Sequence, residues 1–198
     1  MCEVLCVTNR LLCADDFLER IDRLAKAQPK GIILREKDLS ESEYKALAAP
    51  VLEICERYGT QCVLHSFADI AEELGAKAIH LPLSILRELP PNKRIRFTTL
   101  GASCHSPQDA REAERLGCTY ITAGHVFDTD CKKGSPGRGI HFLRQVCESV
   151  LIPVYAIGGI SEKNAAQVIN AGAKGVCVMS GAMVCSDPKE YLEGFKER

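Results

Sequence analysis

Ten residues, His125 to Gly134 (HVFDTDCKKG), bring an imidazole, two carboxylates, a thiol and two ammonium groups together directly behind an apolar run, Tyr120 to Gly124. A β-strand that delivers a titratable side chain at its C-terminal end, followed by a lysine-bearing loop, can set a proton donor beside a bound anion. His125 follows a glycine at the exit of that run, near Thr129, Cys131 and Lys132. An imidazole changes charge near neutrality, which makes His125 the candidate general acid and base. Cys131 has ammonium neighbours, Lys132 and Lys133, that favour a thiolate. No base or oxyanion pattern accompanies it, so a loop residue lining the site is the plainer reading. Asp128 and Asp130 could act as a carboxylate pair, and a salt bridge within the loop is their plainer role.

Two further loops carry glycines. Ile157-Gly158-Gly159-Ile160 and Ser180-Gly181-Ala182 follow the last two strand-like runs. In a barrel, backbone N–H groups at these two places form a phosphate site, because glycine lets the main chain approach the oxygens. Either loop alone could be no more than a tight strand exit; together they favour phosphate. Arg35 and Lys37, in the run ILREK, sit at the end of the second strand-like run and could hold a carboxylate or phosphate. A salt bridge with Glu36 or Asp38 is the alternative. His65, His80 and His105 also fall near strand ends, where a packed, hydrogen-bonded role is the more frequent one. No H-x-H or H-x-x-x-H spacing gives a metal site, so no metal is assigned.

The elements that must position these groups alternate regularly. Eight apolar runs, Glu3 to Thr8, Gly31 to Arg35, Cys62 to Leu64, Ala78 to Leu81, Thr99 to Ser103, Tyr120 to Ala123, Pro153 to Ile157 and Gly175 to Met179, are each followed by a helical pattern. Several runs are too continuously apolar for one face to be wet, as buried parallel strands require. Ser40 with Glu43 predicts a capping box ahead of Tyr44, Leu47, Ala48, Val51, Cys55 and Tyr58. Ser106-Pro107 and Asp187-Pro188 predict helix starts, Gly117 a stop, and Ser161 and Gly172 bracket another helix. Pro50 falls inside the second helical pattern and predicts a kink or a shifted boundary there. Eight βα units in 198 residues predict a compact (β/α)8 TIM barrel spanning residues 1–198 as one domain, with an open doubly wound sheet as the rival.

Composition limits the partners. With 25 basic against 26 acidic residues, evenly spread, the chain has no basic footprint for nucleic acid. No apolar run approaches the ~18 residues a membrane span needs, and the first ten residues, MCEVLCVTNR, lack the basic region of an export signal. The eleven cysteines include no C-x-x-C and fall mostly within apolar patterns, as reduced core thiols in a cytoplasmic protein would. The residues leave the oligomeric state open, a homodimer included.

The pieces VTNR, LREKDLS, GASCHS, AGHVFDTDCKKG, IPVYAIGGI and GVCVMSGAM, in this order and spacing, resemble the thiamine phosphate synthase superfamily. Within it, GHVFDTDCKKG is most similar to the thiazole tautomerase (TenI) branch. The resemblance implies a (β/α)8 barrel acting on a phosphorylated carboxythiazole in thiamine biosynthesis, with no cofactor. It implies phosphate binding by Gly158, Gly159, Ser180 and Gly181 and an acid/base role for His125. It further implies contacts from Arg35, Lys37, Ser103, Thr129 and Lys132 to the substrates' anionic groups. Synthases resemble one another in an Asn-Asp pair after the third strand and an aspartate after the fourth, which hold magnesium; here those places read His65-Ser66 and Pro82-Leu83-Ser84. The expectation is therefore a tautomerase. The alternatives are a pyrophosphate-releasing synthase and a non-catalytic phosphate-binding regulator.

Overall fold

The computed structural model describes residues 2–129 and 134–195. Eight parallel strands close into a barrel in sequence order: Glu3–Val7 (β1), Gly31–Leu34 (β2), Cys62–His65 (β3), Ala78–Pro82 (β4), Thr99–Cys104 (β5), Tyr120–Gly124 (β6), Val154–Ile157 (β7) and Gly175–Val178 (β8). β1 pairs with β8, Leu5 opposite Cys177, which excludes the open sheet. Each strand lies within one residue at either end of the run expected from the sequence.

Main helices follow the strands: Phe17–Lys26 (α1), Glu41–Arg57 (α2), Ala68–Glu73 (α3), Leu83–Glu88 (α4), Pro91–Arg94 (α5), Pro107–Arg115 (α6), Gly139–Glu148 (α7), Glu162–Asn170 (α8), Ser180–Val184 (α9) and Pro188–Glu193 (α10). The local signals act as expected. Ser40 Oγ accepts from Glu43 N–H while the Glu43 carboxylate accepts from Ser40 N–H. Ser106 and Asp187 cap the helices that Pro107 and Pro188 open. α2 runs continuously through Pro50, so the helix boundary is not shifted there. Proline there removes the hydrogen bond to the carbonyl of Ala46. Ala46 is exposed, so water can reach that carbonyl and the helix tolerates the loss.

Strand alternation divides the interior in two. Outward residues such as Val4, Ile32, Leu64, Ile79, Leu100, Ile121, Ala156 and Val176 pack beneath the helices in the larger core. Inward residues Leu5, Val7, Ile33, Val63, Tyr120, Tyr155 and Cys177 fill the barrel. Four inward positions near the strands' C-terminal ends are polar: His65, His80, Ser103 and Thr122. Their strand neighbours Leu64, Ile79, Ala102 and Ile121 face outward into the larger core. The polar ring forms the floor of the site.

Candidate active site

A cavity of about 550 Å³ opens at the C-terminal mouth of the barrel. Arg35, Lys37, Ser103, His125, Thr129, Gly158, Gly159, Ser180 and Gly181 all line it. Lys132, Cys131 and Asp130 lie outside the described residues. Thr122 and Tyr191 also line the cavity, and neither was picked out from the sequence. Thr122 had a usable signal, since it shares the inward face of β6 with Tyr120 and Gly124.

His125 is held by the loop that leaves β6. Its Nε2–H donates to the Ser135 carbonyl at 3.2 Å, so the neutral ring leaves its lone pair on Nδ1. Three hydrogen bonds brace this loop at its base: Arg138 N–H to His125 O, Gly139 N–H to Val126 O, and Gly137 N–H to Asp128 Oδ1 at 2.7 Å. Asp128 thus works as a backbone brace. The Gly124–His125 peptide is cis. His105 donates from Nδ1 to the Gly124 carbonyl at 2.9 Å and lines the same cavity.

The glycine loop after β7 presses against the His125 loop. Val126 N–H donates to Ile157 O and Phe127 N–H to Gly158 O, extending the β6–β7 contact past both strands. Gly158 and Gly159 have φ of 99° and 63°, which side chains rarely adopt. A Cβ on Gly158 would collide with His125, and one on Gly159 with the Asp128 carbonyl and Phe127. Both glycines are therefore required for seating His125 as well as for leaving main chain exposed to the cavity. In the last loop the N–H groups of Ser180, Gly181 and Ala182 precede the first intrahelical bond, Met183 to Met179. That leaves them outside the helix ladder.

At the exit of β2, Glu36 and Asp38 both pair with Arg10. Glu36 is buried and also accepts from Thr8 Oγ1 at 2.6 Å, while Thr8 Oγ1 accepts from Arg35 N–H at 2.9 Å. This network fixes the backbone that carries Arg35 to the mouth. The sequence offered only the VTNR piece as a hint of it.

His65 and His80 are buried, their rings stacked at 5.8 Å. Burial, with Arg35 nearby, pulls His80 down to about 3. Burial again dominates for His65, with His80, Arg35 and Lys37 adding to it, and takes it to about 2. Both imidazoles are neutral at ordinary pH, in the packed role expected for them. His65 Nδ1 lies 2.7 Å from Ser66 Oγ. Among the described residues, no three of His, Cys, Asp or Glu gather to hold a metal ion, and the carboxylate lining the cavity is Asp109, which accepts from His105 N–H at 2.8 Å. Magnesium needs hard anionic oxygens, so this donor set does not fit the ion that synthase chemistry uses. Among the described residues, no helix is long and apolar enough to cross a membrane.

The fold is that of a (β/α)8 TIM barrel, with its cavity at the C-terminal ends of the strands. Residues 4–182 match the family model described as thiamine monophosphate synthase (TMP-TENI), and the chain belongs to that family. A "Thiamine-phosphate synthase" from Fusobacterium nucleatum is 32% identical over 98% of this chain and 95% of its own, and one from Clostridium acetobutylicum 33% identical over 93% and 88%. The solved "Thiamine phosphate pyrophosphorylase from Pyrococcus furiosus" superposes with a TM-score of 0.82 at 28% identity, covering 98% of this chain and 94% of that one. The superfamily expectation is met. These names back a synthase better than a tautomerase, and they do not single out the TenI branch.

Proposed function

We propose that this member of the family is a tautomerase, converting an exocyclic ylidene dihydrothiazole phosphate carboxylate into its aromatic thiazole tautomer. One proton leaves the ring carbon that bears the carboxylate and another arrives on the exocyclic carbon. Atoms and electrons balance without a redox partner, and aromatisation supplies the driving force. The observation that carries this reading is the make-up of the mouth: His125 with Nδ1 as its lone-pair atom, basic groups, and a single, already engaged carboxylate among the described lining residues.

In this reading His125 Nδ1 takes the proton and returns one, a role that contributes about 10²- to 10⁴-fold in general acid–base catalysis. Gly158, Gly159, Ser180 and Gly181 hold the phosphate and place the reacting carbon beside the imidazole. Arg35 and Lys37 bind the carboxylate and stabilise charge that develops as the carbon ionises. Ser103, Thr129 and Lys132 complete the contacts to anionic groups.

The second reading is a thiamine phosphate synthase, favoured by the names of the relatives. Magnesium would then have to be held by groups other than those at Ser66 and Ser84. Proton NMR of the ylidene tautomer with and without the protein, in buffer containing a chelator, separates the two. Enzyme-dependent aromatisation is expected. Its absence, together with magnesium-dependent pyrophosphate release from a pyrimidine pyrophosphate and the thiazole phosphate, would establish the synthase instead.

A further inference from the structure

Beneath the cavity floor a chain of polar side chains crosses three strands. His80 on β4 is buried, with Nδ1 3.0 Å from Tyr120 Oη on β6 and Nε2 2.9 Å from Ser103 Oγ on β5. Thr122 Oγ1 lies 3.5 Å from the same Nε2. Ser103 and Thr122 line the cavity, so His80 and Tyr120 lie one layer below it. Space for the phenol ring comes from Gly101, where a Cβ would collide with Tyr120.

The direction of each hydrogen bond follows from counting protons. A neutral imidazole carries one N–H and one lone pair. A buried phenol whose O–H finds no acceptor is costly, whereas its oxygen can go without accepting. Among the described residues, the hydrogen-bond partner of Tyr120 Oη is His80 Nδ1, so the phenol must donate there. Nε2 therefore carries the proton and donates to Ser103 Oγ. Its own oxygen thus occupied as an acceptor, Ser103 turns its O–H toward the cavity. With the other tautomer Ser103 would donate downward and show the cavity only lone pairs, which repel an anion.

We propose that His80, with its tautomer set by Tyr120, is a positioning residue that presents Ser103 as a hydrogen-bond donor to the anionic group at the reacting end of the substrate. β5 adjoins β6, the strand that delivers His125, and lies two and three strands away from β7 and β8, whose exits carry the glycine loops. In the tautomerase reading, with the phosphate held at the glycine loops, the group met by Ser103 is the carboxylate next to the carbon that ionises. This assignment rests on the tautomerase reading for the identity of the anion, and on the barrel interior alone for the tautomer.

Two measurements test it. In the ¹⁵N-labelled wild-type protein without ligand, long-range ¹H–¹⁵N couplings are expected to show His80 as the Nε2–H tautomer. An Nδ1–H tautomer overturns the proposal whatever reaction the protein catalyses. Calorimetric titration with the carboxythiazole phosphate, and with its analogue lacking the carboxylate, then compares wild type, Ser103→Ala, Tyr120→Phe and the double variant. Loss of one hydrogen bond to a charged group is expected to weaken carboxylate binding about tenfold or more in each single variant, with no further loss in the double and little change for the analogue. Additive losses, or equal losses for both ligands, would reduce Tyr120 and His80 to packing and overturn the proposal. Wild-type protein that shows the Nε2–H tautomer but no preference for the carboxylate would instead sink the tautomerase reading.

Discussion

The two ends of the barrel treat charge differently. At the N-terminal end a smaller cavity of about 310 Å³ is lined by Glu3, Lys30, Lys174 and Tyr155. There Glu3 pairs with both lysines and accepts from the Tyr155 hydroxyl, so the groups satisfy one another. At the C-terminal mouth, Arg35, Lys37, Arg87 and Asp109 line a larger cavity with three imidazoles; Arg87 pairs with Glu112 and Asp109 accepts from the His105 N–H. Charge that is internally balanced holds a structure together. Basic groups gathered at a concave mouth are suited to an anion arriving from outside.

The sharpest way to break this contrast is at His125. His125→Asn is expected to lower turnover about 10²- to 10⁴-fold while product binding persists, read by single-turnover kinetics and calorimetry. Full turnover in that variant would remove the mouth's chemistry from the comparison. Gly159→Ala comes next: strain at a positive φ and collision with the Asp128 carbonyl should cost about 1–3 kcal/mol in urea unfolding and displace His125 along with the glycine loop after β7.

Acid provides a third probe, directed at the layer between the two ends. His65 and His80 titrate lower when folded than when unfolded, so between about pH 6.5 and pH 3 the unfolded chain binds more protons. Stability contributed by these neutral imidazoles is present above that window and falls as the pH drops through it. Between pH 7 and pH 5 the loss is about 2 kcal/mol per histidine. In His65→Asn about half of that slope should disappear from urea unfolding measured across the range. The smallest effect is expected at the closed end. Lys174→Ala removes an exposed ion pair worth about 0–1 kcal/mol and should leave turnover unchanged; a large loss of activity would show that the two ends are not separate.

Much of this arrangement was legible in the residues. Strands buried on both faces read as unbroken apolar runs, which is why β1 to β8 were found almost to the residue. The candidate site was legible for a related reason: a barrel exposes the C-terminal ends of its strands, so His125, Arg35 and the two glycine loops could be placed together without knowing their distances. What could not be read were contacts between strands far apart in sequence. Arg10 reaching Glu36, or Tyr120 meeting His80 and Ser103 inside the barrel, depends on register and inward facing, which no local spacing encodes. The glycines at 158 and 159 were read as making room for oxygens, yet part of their need arises from His125 itself. At Pro50 the helix boundary did not shift, because the carbonyl that proline leaves without a partner belongs to an exposed residue.

The bonds from Val126 to Ile157 and from Phe127 to Gly158 carry a consequence for anyone building chimeras of this barrel. The loop that carries His125 and the glycine loop after β7 are clasped to one another through their main chains. Transplanting either one into a foreign scaffold without its mate would deliver a hand with no wrist.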